Sequence, residues 1–248
     1  MKVKISVCMA VYNGAAYLLP QFESILAQLR TADEVVVVDD ASQDDSADVL
    51  RNLSDSRLQV YRNETNLGVL ASFEKALKLA HGDILFLSDQ DDLWLPGKVD
   101  KIIEVFSLNP EITLVTSDAQ IIDKCGFVVA ESFFAQRGRF AIGVLRNLFK
   151  NKYLGCTLAF RRSMLDHFLP IPNDVPMHDM WFGMVNDIYG KTYYIDEPLI
   201  AYRRHGGNLS PSVGASFMQR LVWRWRLVKN LILRVMHRRP IAHQKNEP

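Results

Sequence analysis

The clearest signal of structure in this 248-residue chain is the stretch Leu85-Phe86-Leu87-Ser88-Asp89-Gln90-Asp91-Asp92-Leu93-Trp94. The apolar run that opens this stretch starts one residue earlier, at Ile84, and ends abruptly in three carboxylates. A short apolar run of this kind is typical of a buried strand, and Pro96-Gly97 just beyond it favours a turn. The carboxylates are therefore predicted at the carboxyl end of a strand, the edge where open α/β sheets bind their ligands.

Three carboxylates this close repel one another unless a cation or hydrogen-bond donors compensate their charge. Asp89, Asp91 and Asp92 offer hard oxygen ligands, and Mg2+ in proteins typically takes one or two carboxylates together with substrate phosphates. The stretch thus indicates metal and phosphate chemistry. An acidic turn that caps the next helix is the alternative.

Composition favours one large domain, or one domain with an appendage. The chain is 48% hydrophobic and carries a formal net charge of +1. It contains no run of about 20 uninterrupted apolar residues, so no membrane-spanning helix is predicted. No signal peptide is predicted either. Cys8, Cys125 and Cys156 are expected to be reduced thiols of a cytoplasmic protein rather than disulfide partners.

Positive charge is concentrated late in the sequence. Between Arg220 and Arg239 there are seven Lys or Arg residues and no Asp or Glu. The rest of the chain is therefore acidic on balance, and an acidic body with a basic tail favours an anionic surface as a partner.

The first 120 residues alternate between strand and helix patterns. Strands are predicted at 3–11, 34–38, 57–61, 84–87 and 112–117, and helices at 16–29, 69–80, 98–108 and from Asp44 or Asp45 to about 53. Helical crossovers between strands imply a mostly parallel sheet with helices on both faces, an α/β fold of Rossmann-like type.

The second half is less regular. A hairpin is expected between 119 and 139, strands at 153–160 and 191–195, an apolar segment at 199–205, and helices at 163–168, 178–188 and 216–239. A second carboxylate pair, Asp39-Asp40, follows the strand at 34–38. Because parallel strands end at the same edge, one cleft can contain both acidic clusters. An aspartate there can accept a hydrogen bond from a base or a ribose hydroxyl. The chain has neither a P-loop nor a G-x-G-x-x-G motif, so those two nucleotide sites lose their main support.

Seven short motifs follow one another along the chain. Those of the first half are Val7 to Asn13, Val38-Asp39-Asp40-Ala41-Ser42-Gln43-Asp44, Asn66-Leu67-Gly68 and Phe86-Leu87-Ser88-Asp89-Gln90-Asp91-Asp92. Those of the second half are Gly155-Cys156-Thr157, His178-Asp179-Met180-Trp181 and Tyr202-Arg203-Arg204-His205-Gly206-Gly207-Asn208. The first set resembles the family 2 glycosyltransferases of the GT-A fold, and the second resembles their bacterial rhamnosyltransferase-like branch. The resemblance covers roughly residues 3–210.

This resemblance implies a division of the chain and a role for each matching residue. Residues 1–215 would be the catalytic domain, with a nucleotide-binding half at 1–120 and an acceptor half at 121–215, followed by a basic helix and tail at 216–248. The nucleotide would lie beside Ala10, Tyr12, Asn13, Asp39 and Asp40, with Asp40 at the pyrimidine, and beside Asn66 and Gly68. Asp89-Gln90-Asp91 matches the D-x-D element of the family. It implies an Mg2+ or Mn2+ cofactor held directly by Asp91, with Asp89 near the ribose or metal and His205 helping to hold the metal or diphosphate.

Asp179 is the candidate catalytic base that the resemblance implies. Inverting sugar transfer needs a carboxylate to take the proton of the acceptor hydroxyl, and a helix N-terminus can hold such a group ionised. A helix cap without a catalytic role is the alternative. Many relatives have Glu where this chain has His178, which leaves His178 as a partner of Asp179, a contact to the acceptor, or neither.

Several other residues carry two interpretations. Asp92 is expected beside the acceptor or behind the metal ligands, and Trp94 and Trp181 either stack on a sugar ring or fill the core. Gly155 and Cys156 either line the donor sugar pocket or belong to a buried strand. Cys156 is not expected to be a nucleophile, because no partner motif accompanies it.

The predicted C-terminal helix is both apolar and basic. Leu221, Trp225, Val228, Ile232 and Val235 form one helical stripe, and Arg220, Arg224, Arg234 and Arg238 gather on a neighbouring face. Tryptophans among arginines favour an anionic membrane surface. Packing of this helix on the domain or on a second subunit is the alternative, and nucleic acid is not expected because the body is acidic.

Together these features predict an inverting, metal-dependent glycosyltransferase on the inner face of the plasma membrane. It would move a sugar from a dTDP- or UDP-linked donor to a polyprenyl-linked or cell-surface glycan, as in polysaccharide or O-antigen assembly. The Q-x-x-R-W signature of processive relatives is absent, which favours a single addition. A sugar nucleotidyltransferase and a non-catalytic sugar-nucleotide-binding or assembly protein are the rival functions.

Overall fold

The computed structural model describes residues 3–206 and 216–237. The described strands are Ile5–Val11 (β1), Glu34–Asp39 (β2), Leu58–Arg62 (β3), Ile84–Ser88 (β4), Leu93–Trp94 (β5), Leu114–Ile122 (β6), Val128–Ala130 (β7), Ala159–Arg161 (β8) and Thr192–Arg203 (β9). The described helices are Ala15–Leu26 (α1), Ser46–Asn52 (α2), Val69–Leu79 (α3), Lys98–Leu108 (α4), Phe133–Arg137 (α5), Val144–Phe149 (α6), Leu165–Phe168 (α7), His178–Tyr189 (α8) and Phe217–His237 (α9).

One mixed sheet runs through the molecule in the order β3-β2-β1-β4-β8-β6-β9-β5, with β7 paired to β6. The first four strands of this order are parallel, so the ends of β1, β2 and β4 lie at one edge. Strand β8 is antiparallel to both of its neighbours, β4 and β6. The mostly parallel α/β sheet is therefore confirmed, although β6 does not pair directly with β4.

The parallel strands are buried on both faces because their side chains alternate between two cores. In β1, Val7 and Met9 belong to the core beneath α1 and α4, and Cys8 belongs to the core beneath α3 and α8. Adjacent strands follow the same alternation. Near-continuous apolar strands are typical of a sheet covered on both faces, and this burial fixes the sheet edge that carries the acidic clusters.

Two predictions in the second half are wrong in detail. The segment predicted as a strand at 153–160 contains a turn of 3-10 helix, Gly155–Thr157, and only Ala159–Arg161 pairs as a strand. The strand predicted at 191–195 and the separate segment that begins at Leu199 belong to one long strand, β9, which ends at Arg203 and has register shifts where it passes β6. The glycine at 155 and these shifts interrupt regular pairing, which periodicity alone does not reveal.

The C-terminal helix α9 exists and packs on the body through Leu227 and Leu231. Within the described residues, no helix is long and apolar enough to cross a membrane. The predicted residues Gly207, Asn208 and Arg238 lie outside the described part of the chain.

Candidate functional site

A cleft of about 480 Å³ opens at the edge where β1, β2 and β4 end. The beginning of α8 and the 3-10 turn after Leu154 close its other side. Of the residues singled out from the sequence, the cleft is lined by Ala10, Tyr12, Asp40, Asn66, Gly68, Asp89, Gln90, Asp91, Gly155, His178 and Asp179. The fold thus brings both acidic clusters and the candidate base to one cavity.

At the β2 end of the cleft, Asp40 holds the loop that precedes α3. Its carboxylate accepts hydrogen bonds from the backbone N–H groups of Leu67 (2.9 Å) and Gly68 (2.8 Å) and from the Asn63 side chain (2.7 Å). Burial alone would raise the pKa of Asp40, but these donors outweigh it and hold the pKa below its usual value. Asp40 therefore stays ionised and fixes the cleft wall that contains Asn66 and Gly68.

Asp39 and Asn13, which are predicted to lie beside a nucleotide, do not line the cleft itself. Asp39 is buried, pairs with Arg62 at 2.7 Å and accepts the N–H of Ser42. Asn13 has a left-handed backbone, φ 51°, and its side chain accepts the N–H of Gln43. Both residues shape the loop behind the cleft, because their polar atoms are engaged there.

Gln90 acts as a clamp on the neighbouring strand. Its side chain accepts the N–H of Tyr12 at 2.7 Å and donates to the Tyr12 carbonyl at 3.0 Å, as the backbone of a neighbouring strand would do. A Cβ atom on Gly14 would lie 2.6 Å from the Gln90 side chain, so only glycine leaves room for this contact. The middle residue of the D-x-D element thus positions Tyr12 at the cleft.

The three clustered carboxylates have different surroundings. Asp91 Oδ2 lies 2.7 Å from His205 Nε2. Asp92 is fully buried and accepts the backbone N–H of Arg203 at 2.8 Å, and burial followed by the charge of Asp91 raises its pKa to about 7. Burial and the charges of Asp92 and Asp91 also raise the pKa of Asp89. Asp92 is therefore buried beneath the cleft surface and bonded to the backbone of Arg203, whereas Asp89 and Asp91 line the cleft.

This donor set fits Mg2+ or Mn2+. Asp89 and Asp91 supply hard carboxylate oxygens at the cleft, and His205 adds an imidazole nitrogen beside Asp91, a combination that suits these cations. Burial, and after it the charges of Asp92 and Asp91, raise the pKa of Asp89, and a bound cation would offset that repulsion. The Cys156 thiol and the carboxylates of Asp89 and Asp92 also lie within 4.8 Å of one another. Burial raises the pKa of this thiol well above its usual value, so it remains protonated and is a poor ligand for a hard cation.

Asp179 stands in the first turn of α8 and lines the cleft. Burial raises its pKa to about 7. Its Oδ1 accepts the backbone N–H of Met180 at 2.6 Å. A carboxylate with a pKa near neutrality is suited to general-base work.

His178 precedes Asp179, but its ring forms no hydrogen bond to the Asp179 side chain. Its ring is buried against Phe73, with 4.3 Å between the ring centroids, and neither ring nitrogen has a hydrogen-bond partner among the described residues. Burial lowers the pKa of His178 to about 4, so the ring is neutral. A Cβ atom on Gly155 would lie 2.7 Å from His178 Nε2, so Gly155 makes room for this ring.

The two tryptophans fill the core. Trp181 is fully buried and donates its indole N–H to the carbonyl of Phe168, and Trp94 is buried with the ammonium of Lys98 4.4 Å from its ring centroid. Neither ring lines the cleft, so stacking on a sugar is not supported. Cys156 is likewise buried and does not line the cleft, and its carbonyl accepts the Lys98 ammonium at 2.8 Å.

The family model described as "Glycosyl transferase family 2" matches residues 6–169, which is more than half of the chain. The chain belongs to glycosyl transferase family 2. An uncharacterized glycosyltransferase of Nostoc sp. is 30% identical over 217 residues, which cover 83% of this chain and 66% of that protein. The Escherichia coli UDP-Glc:alpha-D-GlcNAc-diphosphoundecaprenol beta-1,3-glucosyltransferase WfgD is 28% identical over 185 residues, which cover 74% of this chain and 70% of that protein. The chain spans 59% of an uncharacterized Mycobacterium bovis protein that it also matches.

Solved structures confirm the GT-A type of fold. The S. aureus TarS 1-349 structure in complex with UDP-GlcNAc has a TM-score of 0.72 at 18% identity, with 94% of this chain and 67% of that chain covered. The mannosyltransferase PcManGT from Pyrobaculum calidifontis, in complex with GDP-Man and Mn2+, has a TM-score of 0.62 at 18% identity, with 96% of this chain and 66% of that chain covered.

Two positioning residues of this family 2 site were not predicted. Arg203 donates from its backbone to Asp92 and from its side chain to the Asp91 carbonyl, at 2.7 Å. Lys98 is fully buried close to Asp92 and Asp89, and burial lowers its pKa to about 8. Arg203 belongs to the motif at 202–208 and lies two residues before His205, and that short separation is the available signal. Lys98 looked like an ordinary first-turn lysine of α4, and only tertiary packing reveals its burial.

Proposed function

We propose that this chain transfers a sugar, with inversion, from a nucleoside-diphosphate sugar to a hydroxyl group of a glycan acceptor. The observation that carries the proposal is one cleft lined both by the Asp89–Asp91 pair and by a buried carboxylate of raised pKa, Asp179. A leaving diphosphate needs charge compensation and an attacking hydroxyl needs a base, and these two groups supply those needs within one cavity.

In the proposed mechanism the base and the cation-holding residues have separate tasks. Asp179 takes the proton from the acceptor hydroxyl, whose oxygen forms the bond to the anomeric carbon, while the bond from that carbon to the diphosphate oxygen breaks. Asp89, Asp91 and His205 would hold the cation, which when bound compensates the charge of the departing nucleoside diphosphate. Gln90 keeps the backbone of Tyr12 in place at the cleft, and the loop held by Asp40 shapes the nucleotide end.

The donor is proposed to be UDP- or dTDP-linked. The UDP-GlcNAc complex of S. aureus TarS and the UDP-Glc donor in the name of WfgD support a pyrimidine nucleotide. The rhamnosyltransferase-like motifs support dTDP-rhamnose among the donors. Membership of family 2 favours this transfer over the nucleotidyltransferase and the non-catalytic alternatives.

The acceptor is proposed to be a polyprenyl-linked or cell-surface glycan precursor, extended by a single sugar. The diphosphoundecaprenol acceptor in the name of WfgD supports a lipid-linked substrate, as in O-antigen or other polysaccharide assembly. Such an acceptor would place the enzyme at the inner face of the plasma membrane as a peripheral protein.

A thermal-shift panel of UDP, dTDP, GDP and CMP, each with and without Mn2+, tests the donor site. A ligand at a hundred times its dissociation constant adds about 2.7 kcal/mol to the free energy of unfolding. We expect a Mn2+-dependent shift with UDP or dTDP that Asp91→Asn removes. The absence of a shift with every nucleotide, at concentrations that saturate a typical donor site, would contradict the proposal.

A further inference from the structure

The C-terminal helix α9 has two faces with different roles. One face packs on the body through Leu227 and Leu231. On the same side, Arg224 donates to the carbonyls of Leu148 and Phe149, and Arg234 donates to those of His167 and Leu169. These arginines, predicted to meet an anionic surface, instead fasten the helix to the protein.

The opposite face of α9 is exposed and apolar. At 100° per residue one side of the helix collects Met218, Leu221, Val222, Trp225, Ile232 and Met236, and every one of these side chains is exposed. Trp225, for example, is 65% exposed. Lys229 lies within the same stripe and pairs with Asp174. A helix held by one face thus presents a second, continuous apolar face away from the body.

Helix α6 adds to this surface. Leu145 and Phe149 are 73% and 75% exposed, and Ile142 just before the helix is exposed as well. The two hydrogen bonds from Arg224 to Leu148 and Phe149, at 2.8 and 2.7 Å, join the end of α6 directly to α9. We call the exposed residues of α6 and α9, with the segment before α6, the α6–α9 face. Contiguous exposed apolar side chains of this kind mark an interaction surface.

Cations surround the apolar residues of α6, and acids are missing from its neighbourhood in sequence. Arg137, Arg139, Arg146 and Lys150 are all exposed. Between residues 132 and 165, and again between 217 and 237, the chain has no Asp or Glu. The two helices of this surface combine exposed Leu, Phe and Trp with cations and carry no carboxylate of their own, which suits the boundary of an anionic bilayer.

We propose that the α6–α9 face docks on an anionic lipid bilayer, with Leu145, Phe149 and Trp225 entering the interface. A second copy of the chain is the poorer occupant. In a two-fold dimer the same patch meets itself, so the cations of α6 and α9 would face like charges, and neither helix has a carboxylate of its own to pair them.

The position of this face explains its use in the proposed transfer. Asn151 follows Lys150 directly in sequence and donates to the carbonyl of Tyr153 at 2.9 Å, and the next residue, Leu154, lines the cleft together with Asp179, the proposed base. The docking face therefore adjoins the acceptor side of the cleft. This benefit rests on the proposed lipid-linked acceptor, since a bilayer at this face would bring the head group of such an acceptor close to Asp179. The docking itself does not depend on the donor or the reaction.

Vesicle co-sedimentation of the full chain tests the proposal. Phosphatidylcholine vesicles with and without phosphatidylglycerol are the probes, and no nucleotide or acceptor is added. We expect binding that requires the anionic lipid. Leu145→Ser/Phe149→Ser and, separately, Trp225→Ser should weaken it at least about tenfold, because the side chains no longer bury apolar area in the bilayer. Arg146→Gln/Lys150→Gln should weaken it about fivefold for each charge removed.

Matched controls lie on other elements. Leu108→Ser and Phe127→Ser remove equally exposed apolar side chains, and Lys124→Gln and Lys191→Gln remove exposed cations. These four variants should bind vesicles as the wild type does, and every variant should keep the Mn2+-dependent nucleotide shift, which reports on the cleft separately.

Three outcomes would overturn the proposal. One is failure of the wild-type chain to bind anionic vesicles. Another is equal loss of binding in the α6–α9 variants and the controls. The third is a dimer in light scattering that the Trp225 and Phe149 variants dissociate while vesicle binding is absent, which would assign the face to a second copy. Because the nucleotide shift is measured in parallel, failure of the docking and failure of the proposed transfer give different results.

Discussion

His205 Nε2 lies 2.7 Å from Asp91 Oδ2, although 114 residues of sequence separate the two. The pair joins the end of β4 to the segment after β9. Arg203, two residues before His205, connects the same two segments through hydrogen bonds to Asp91 and Asp92. The ring of His205 also stacks on Tyr17, with 4.9 Å between the centroids. A residue from the segment after β9 thus lies directly beside the D-x-D element.

This relationship predicts the metal dependence of two variants. Asp91→Asn should remove the Mn2+-dependent shift with UDP or dTDP, because a direct carboxylate ligand is lost. His205→Ala should weaken Mn2+ about 10- to 100-fold, the usual cost of losing a residue that orients a metal ligand. Titration of Mn2+ at a fixed nucleotide concentration measures both effects. His81→Ala, which removes an exposed histidine elsewhere, is the control, and equal effects of both histidine variants would contradict the assignment.

The raised pKa of Asp179 predicts a pH profile. The base is active only as the carboxylate, so kcat/KM should fall about tenfold per pH unit below its pKa of about 7 and level off above it. The same raised pKa also makes the free energy of unfolding depend on pH, and in the direction opposite to that of kcat/KM. The folded state keeps a proton that the unfolded chain releases near pH 3.8, so this group's contribution to the free energy of unfolding is lost as pH rises towards 7.

Initial rates from pH 5 to 9, with urea unfolding at the same pH values, measure both slopes; these pH limits span the roughly neutral pKa on either side. Asp166→Asn, an exposed acid on α7, should leave both unchanged. A kcat/KM that does not depend on pH around neutrality would count against Asp179 as the base.

Gly155 and His178 are predicted to be coupled. In Gly155→Ala the new methyl group would lie 2.7 Å from His178 Nε2, and the ring cannot retreat easily because it is packed on Phe73. Overpacking of this kind lowers the free energy of unfolding by about 1–3 kcal/mol. His178→Ala should relieve part of that loss in the double variant, and the cycle is measured by urea unfolding. Gly206→Ala, where the Cβ meets open space, is the control. Strict additivity would show that the two residues do not touch.

Gln90 is predicted to act through the backbone of Tyr12. Gln90→Ala removes both hydrogen bonds of the clamp and should lower the free energy of unfolding by about 1–2 kcal/mol, at roughly 1 kcal/mol per bond. It should also weaken nucleotide binding, since Tyr12 lines the cleft. Gln120→Ala, which removes a surface bond to Glu131, is the matched control. Unchanged nucleotide affinity in Gln90→Ala would exclude the positioning role.

The sequence predicts the parallel half of the fold well because burial on both faces leaves a direct trace. Continuous apolar strands such as 34–38 belong to such a sheet, and their acidic ends share one edge. The candidate cleft follows from that rule and from the family motifs. Regular periodicity carries no information on the 3-10 turn at Gly155, which is irregular and set by tertiary contacts.

Side-chain direction is what the sequence does not specify. Asp39 and Asp40 are adjacent, yet Asp39 pairs with Arg62 behind the cleft and Asp40 holds the loop at Gly68. Likewise, the arginines of α9 look like a surface for anions, but Arg224 and Arg234 bond backbone carbonyls of the body. Which partner a polar group meets depends on packing between distant segments, and only the structure supplies it.

The most direct test of the account compares wild type with Asp179→Asn in one assay of nucleoside diphosphate release. UDP- and dTDP-sugars, a polyprenyl-diphosphate-linked glycan and Mn2+ are supplied, and the thermal shift with the nucleotide is measured on the same preparations. The account predicts turnover by the wild type and a loss of about 10²- to 10⁴-fold in Asp179→Asn, with the nucleotide shift retained. Turnover by Asp179→Asn at the wild-type rate, with the same metal-dependent shift, would contradict the assignment of Asp179 and with it the proposed mechanism.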